Sequence, residues 1–100
     1  GVTAVTIRLS TNDYNEINTF IDKRYYLSSF LSVCAINEHR LPTGVKENDS
    51  LYPDRKYKKD KTINCSIPTA YFKELPLFGE VGRWEFVIAC ALNEVRKSGS

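Results

Sequence analysis

The chain has 100 residues, 42% of them apolar and 26% charged, with a formal net charge of +2. That length holds one small domain with enough apolar side chain for a compact core. So mild a charge balance does not by itself point to nucleic acid. No apolar run approaches the ~20 residues of a membrane span, and no signal-peptide pattern opens the sequence.

Val5-Thr6-Ile7-Arg8-Leu9 alternates apolar and polar side chains with β-branched residues prominent, the pattern of a half-buried strand. Val5, Ile7 and Leu9 share one face; Ala4, Thr6 and Arg8 share the other. Ser10 is a good helix N-cap, and Asp13 three residues on places a negative charge at the positive end of the helix dipole. Tyr14, Ile17, Phe20 and Ile21 then recur at helical spacing. A first helix is predicted over residues 11–23, a turn at Arg24-Tyr25-Tyr26, and a second helix over residues 27–40.

Residues 41–60 differ in kind. They carry Pro42, Gly44, Pro53 and many charges, and read as a polar surface linker. The earlier order then restarts. Ile63, Cys65 and Ile67 alternate with Thr62, Asn64 and Ser66 as a second strand. Pro68 and Thr69 open a short helix carrying Phe72 and Leu75, which Pro76 should end or kink, since proline costs about 3 kcal/mol inside a helix. Gly79 and Gly82 make a turn. Residues 84–97 form a last helix that is apolar nearly all round and therefore buried.

The restart is a duplication. Phe30–Arg40 (FLSVCAINEHR) and Phe86–Arg96 (FVIACALNEVR) are identical at six of eleven positions, far above the chance rate of about one in twenty. The strands repeat at an offset of 58 residues (Val5 to Ile63) and the helices at 56 (Cys34 to Cys90). The second copy has thus lost two residues, in the stretch disturbed by Pro76, Gly79 and Gly82. One strand with two helices cannot bury its own faces; two copies can. The predicted fold is α+β: two antiparallel strands forming a ribbon over four helices with pseudo-two-fold symmetry. Residues 2–40 and 61–97 are the two units of one compact domain, joined by linker 41–60. The linker could span up to roughly 65 Å if extended, so pairing within one chain is easily accommodated but not forced, and two chains exchanging halves across the linker is the alternative.

Three cysteines, Cys34, Cys65 and Cys90, form no CxxC pair and read as small buried hydrophobes rather than a metal or redox site. Reduced thiols suit a cytoplasmic protein. The lone histidine, His39, ends a helix, has Val95 as its counterpart, and shows no nucleophile or carboxylate partner in the sequence. With no phosphate loop and no metal-ligand cluster, neither an enzyme nor a bound cofactor is expected.

An alternating strand, a capped helix and a buried helix, seen in AVTIRLSTNDY followed by YYLSSFLSVCAINEHR, resemble the ribbon-helix-helix superfamily of Arc, MetJ and CopG-type proteins. TINCSIPTAYF followed by GRWEFVIACALNEVR matches less closely because of Pro68 and Pro76. Most members build the unit from two identical chains. A single chain carrying both halves is similar to the TraY-type relaxosome proteins of conjugative plasmids. The resemblance implies a sequence-specific binder of double-stranded DNA that inserts its ribbon in the major groove. It would serve as a plasmid- or phage-type relaxosome accessory protein or as a regulator of transcription.

Carried over by position, the base-reading residues are Ala4, Thr6 and Arg8 on the first strand and Thr62, Asn64 and Ser66 on the second. Arg8 suits a guanine edge, Asn64 an adenine edge, and Ala4 a thymine methyl. The same face could simply be the wet side of a strand, but neither outward row carries an acid that would repel phosphate. The start of the second helix of each unit would hold a backbone phosphate, with Ser28, Arg24 and Arg83 as added donors. The basic segment before the second strand, including Lys58 and Lys59, would add salt-dependent affinity. Plain helix capping and a solvated loop are the competing readings of these residues, and Trp84 reads as packing rather than a stacking platform. Unlike strand faces imply a non-palindromic target, read by several copies side by side or in a larger complex with a relaxase or other DNA-processing protein. The rival function is a protein-interaction module, antitoxin-like or inhibitory, on the same scaffold.

Overall fold

The structure, a computed structural model, describes residues 1–52, 58–75 and 82–98. Alternation along two segments produces two strands, β1 (Val2–Leu9) and β2 (Lys61–Pro68). They pair antiparallel in a register running from Val2 opposite Pro68 to Leu9 opposite Lys61. Val5, Ile7, Leu9, Ile63, Cys65 and Ile67 all point inward and are buried. A two-stranded ribbon is marginal alone in water. Each inward aliphatic side chain contributes about 1.5–3 kcal/mol when fully buried, so the helices that cover this face hold the ribbon together.

Helix α1 spans Thr11–Ile21, with Ser10 Oγ accepting the Asp13 amide at 3.1 Å. It stops two residues short of the expected end. Asp22 and Lys23 both adopt left-handed backbone (φ 47° and 65°), and the Asp22 N–H donates to the Asn18 carbonyl at 3.0 Å. Aspartate tolerates that conformation better than most residues, so a cap rather than a proline or glycine ends the helix. Helix α2 spans Leu27–Arg40, as its spacing predicts. Ser32 Oγ donates to the carbonyls of Ser28 and, across to the ribbon, Ser66 at 2.8 Å, pinning the first half of α2 beneath β2.

The linker is not confined to the surface. Two 3-10 turns, Val45–Glu47 and Asp49–Leu51, drive Val45 and Leu51 into the core, where they are 1% and 4% exposed. Gly44 makes the entry with φ +97°. The buried Glu38 carboxylate holds the loop by accepting from Thr43 N (2.7 Å), Thr43 Oγ1 (2.6 Å) and Val45 N (3.3 Å). Tyr52 closes the segment by donating its hydroxyl to the Val45 carbonyl at 3.1 Å. Two aliphatic residues in a charge-rich stretch carry no periodic signal, so the segment reads as polar and folds as part of the core. Pro53 and residues 54–57 lie outside the described residues.

Helix α3 (Thr69–Glu74) is short and ends at Leu75, itself buried; the expected breaker Pro76 and the turn glycine Gly79 lie outside the described residues. Helix α4 (Arg83–Ser98) is the centre of the molecule. It packs on α2, α1, β1 and both linker turns, and eight of its side chains from Phe86 to Val95 are buried. Among the described residues, the result is an α+β arrangement of one two-stranded antiparallel sheet with four α-helices. Cys34, Cys65 and Cys90 are free and buried. Among the described residues, no helix is long and apolar enough to cross a membrane.

Candidate nucleic-acid interface

Because side chains alternate along a strand, the register that buries six residues turns the next six outward. Ala4 faces Ser66, Thr6 faces Asn64, and Arg8 faces Thr62. All six expected base-reading residues are exposed on one face of the ribbon. At its centre Thr6 Oγ1 donates to Asn64 Oδ1 at 3.0 Å. That bond orients the amide and leaves both Asn64 N–H donors for another acceptor. The face thus presents an uncharged, hydrogen-bonding middle with a cation, Arg8, at one end.

The two ends of the ribbon differ. At the Arg8 end, Thr6, Arg8, Lys58, Lys59 and Trp84 line a cavity of about 390 Å³. Trp84, 38% exposed, stacks on Phe72 with ring centroids 5.5 Å apart, and the Arg83 guanidinium lies 5.2 Å from the same ring. Its Nε has no hydrogen-bond partner among the described residues. The start of α4 is closed by its own side chain. Glu85 Oε2 accepts the Gly82 N–H at 3.0 Å, and Glu85 Oε1 accepts Lys59 Nζ at 3.1 Å. A β-carbon at residue 82 would stand 2.9 Å from that carboxylate oxygen, so glycine permits the close approach. Partial burial pushes the Glu85 carboxyl up, but the backbone hydrogen bonds and Lys59 outweigh it and hold it below its ordinary range.

At the opposite end, α2 begins after Tyr26 with no side-chain cap and no acid in its first turn. Ser28 lies half-buried there. Arg24 is turned the other way: its Nε and Nη2 donate to the Ile21 and Phe20 carbonyls at 3.2 and 2.7 Å, and its guanidinium rests over Phe20 and Tyr25. It caps the end of α1 rather than joining the ribbon face. Of the five expected phosphate ligands, Lys58 and Lys59 line the Arg8-end cavity, Arg83 adjoins it, and Ser28 and Arg24 stand apart. Arg55 and Lys56 of the basic segment lie outside the described residues, while Lys61 Nζ sits 5.3 Å from the Tyr14 ring.

Two features escaped the sequence reading. The Gly82-x-x-Glu85 spacing is that of a helix-start acid reaching back to its own cap and was legible. Trp84, read as packing, also forms a wall of the ribbon-side cavity. His39 corrects an expectation outright: its Nε2 lies 2.6 Å from Glu74 Oε2, with its ring edge-on to Tyr71 at 5.6 Å. The carboxylate comes from α3, thirty-five residues away, and no local pattern announces it.

Away from the ribbon, a cavity of about 920 Å³ opens between α2 and α4, its lining including Phe30, Val33, Cys34 and Cys90. Burial, with a smaller push from Glu94, raises the Cys34 thiol to about 12; burial, Glu38 and Cys34 raise Cys90 as well. Both are protonated at neutral pH and therefore poor nucleophiles and ligands. Among the described residues, no group of three or more His, Cys, Asp or Glu could hold a metal ion. Compared with known proteins, the chain matches no family model, no curated protein and no solved structure.

Proposed function

We propose that the chain is a tandem ribbon-helix-helix protein that lays its ribbon in the major groove of double-stranded DNA and reads a non-palindromic element. The carrying observation is the register. The two strand copies, offset by 58 residues, pair so that the equivalent residues Thr6 and Asn64 stand opposite each other. That is the pairing a two-fold axis between the copies requires. The extensive contact of α2 with α4, the duplicated helices, fits the same axis. The outward face supports the reading chemically, since hydroxyl, amide and guanidinium groups can match base edges and neither outward strand row carries an acid. Work at an origin of transfer or at a promoter uses the same face, so the proposal covers a relaxosome accessory protein and a transcriptional regulator alike, with relaxase-type enzymes or further copies of the chain as partners. Soluble action in the cytoplasm follows from that role.

The test is selection of bound duplexes from a random library, followed by binding of the selected site by Arg8→Ala and Asn64→Ala. Each bidentate contact is worth about 1–3 kcal/mol of discrimination, so each variant should lose preference at one position while retaining non-specific binding. If both variants keep the full preference, ribbon readout is wrong. An interaction module on the same scaffold draws support from the cavity between α2 and α4 and from exposed Tyr25, Val33 and Leu41 beside it. Failure to select any duplex, together with capture of a protein by that face, would establish it instead.

A further inference from the structure

We propose that DNA is gripped on one flank only: a backbone phosphate enters the cavity between Arg8, Lys58, Lys59 and Trp84, and the opposite end of the ribbon has no matching grip. The inference rests on the ribbon reading and deepens it. Under the repeat offsets, Arg8 is the counterpart of Ser66, and Arg83 is the counterpart of Leu27. Two cations at one end thus face a serine and a leucine at the other. Lys58 and Lys59 reinforce the first end from the linker side, lining the same cavity as the base-reading Thr6 and Arg8. Beyond the second end the cations along the chain are Lys73, on α3 just past β2, and Lys23 and Arg24 before α2; none of them lines the cavity, and Arg24 is committed to the carbonyls of α1.

Glu85 gives the grip its present state. Its carboxylate takes hydrogen bonds from Lys59 Nζ and the Gly82 N–H. These are an ammonium and a helix-start amide, the two donor types that hold a phosphate at a helix N-terminus. Glu85 therefore acts as an internal stand-in for the DNA phosphate, and the incoming anion competes with it for Lys59. The counterpart position in α2 is Ser29, which brings no competing charge.

The experiment is anisotropy of a short fluorescein-labelled duplex of random sequence, titrated with the full chain between about 50 and 200 mM salt. Each lost phosphate contact lowers the salt slope by about 0.9. Lys58→Ala/Lys59→Ala should flatten the slope by about 1.8, so the wild type gains about tenfold more than the variant across that range. Lys23→Ala/Arg24→Ala should leave the slope nearly unchanged. Glu85→Gln keeps a side-chain oxygen for the Gly82 amide but removes the competing charge, and should tighten binding. Trp84, the sole tryptophan, should change its emission as the duplex binds. Equal flattening by the two double variants would overturn the one-sided grip while leaving DNA binding intact. A wild type that binds no duplex at about 50 mM salt would overturn the ribbon reading itself.

Discussion

Helices α2 and α4 share six of eleven residues over Phe30–Arg40 and Phe86–Arg96, yet they occupy different environments. Val33 is 52% exposed, whereas its counterpart Ala89 is fully buried. Leu92 is buried and its counterpart Ile36 only partly so. The glutamates reverse that order: Glu38 is buried against the linker, while Glu94 stays part-exposed near Ser98. The cause lies outside both helices. The linker turns pack Val45 and Leu51 against α4, and α1 closes another side with Glu16 and Arg96 in a two-point ion pair at 2.9 and 3.2 Å. Shared sequence therefore sets the local helix, and the linker segment decides which of the two similar helices becomes the core.

The largest effect should separate the aliphatic pair. Leu92→Ala removes a fully packed side chain and should cost about 3–4 kcal/mol, within the usual range for buried truncations. Ile36→Ala should cost roughly half as much, because water already reaches it. Urea unfolding midpoints at constant m-value measure both, and equal losses would remove the claimed asymmetry. The glutamates come next. Glu38→Ala leaves Thr43 N and Val45 N without their acceptor and should cost about 1–3 kcal/mol. Glu94→Ala should fall within about 0.5 kcal/mol of wild type. Hydrogen exchange at the Val45 amide would show whether the loss is local to the linker turn.

The inward and outward rows of the strands were legible because period-two alternation places a side chain on a face without reference to anything distant. The helix bounds of α2 followed from spacing in the same way. What resisted reading depends on partners remote in sequence: Val45 and Leu51 entering the core, Glu74 meeting His39, and Arg24 folding back on α1. Each is a single residue in a polar context, and its role is set by what the tertiary fold brings to it. The six ribbon residues of the candidate site were placed on the outward face by alternation, and singled out as a site only by the family resemblance. The inequality of its two ends was not, because Lys59 and Trp84 reach the ribbon only through the packing of the linker and α4.

The smallest effect tests the helix starts, where Glu85 in α4 stands against Ser29 in α2. The Glu85 carboxyl is held below its ordinary value of 4.5 in the folded chain, so ionisation stabilises the fold. That contribution is present in full above the unfolded value and fades as pH falls through the lower folded one. The stability gap between wild type and Glu85→Gln should therefore be open at pH 7 and narrow as the pH falls below the ordinary carboxyl value of 4.5 and the folded carboxyl protonates, since the protonated acid resembles the amide. Ser29→Ala should show no such pH dependence relative to wild type. Stability and DNA binding should also move in opposite directions at residue 85, since the carboxylate that supports the start of α4 is the anion a phosphate must displace. If Glu85→Gln weakens both, Glu85 only organises the helix start and does not compete with DNA.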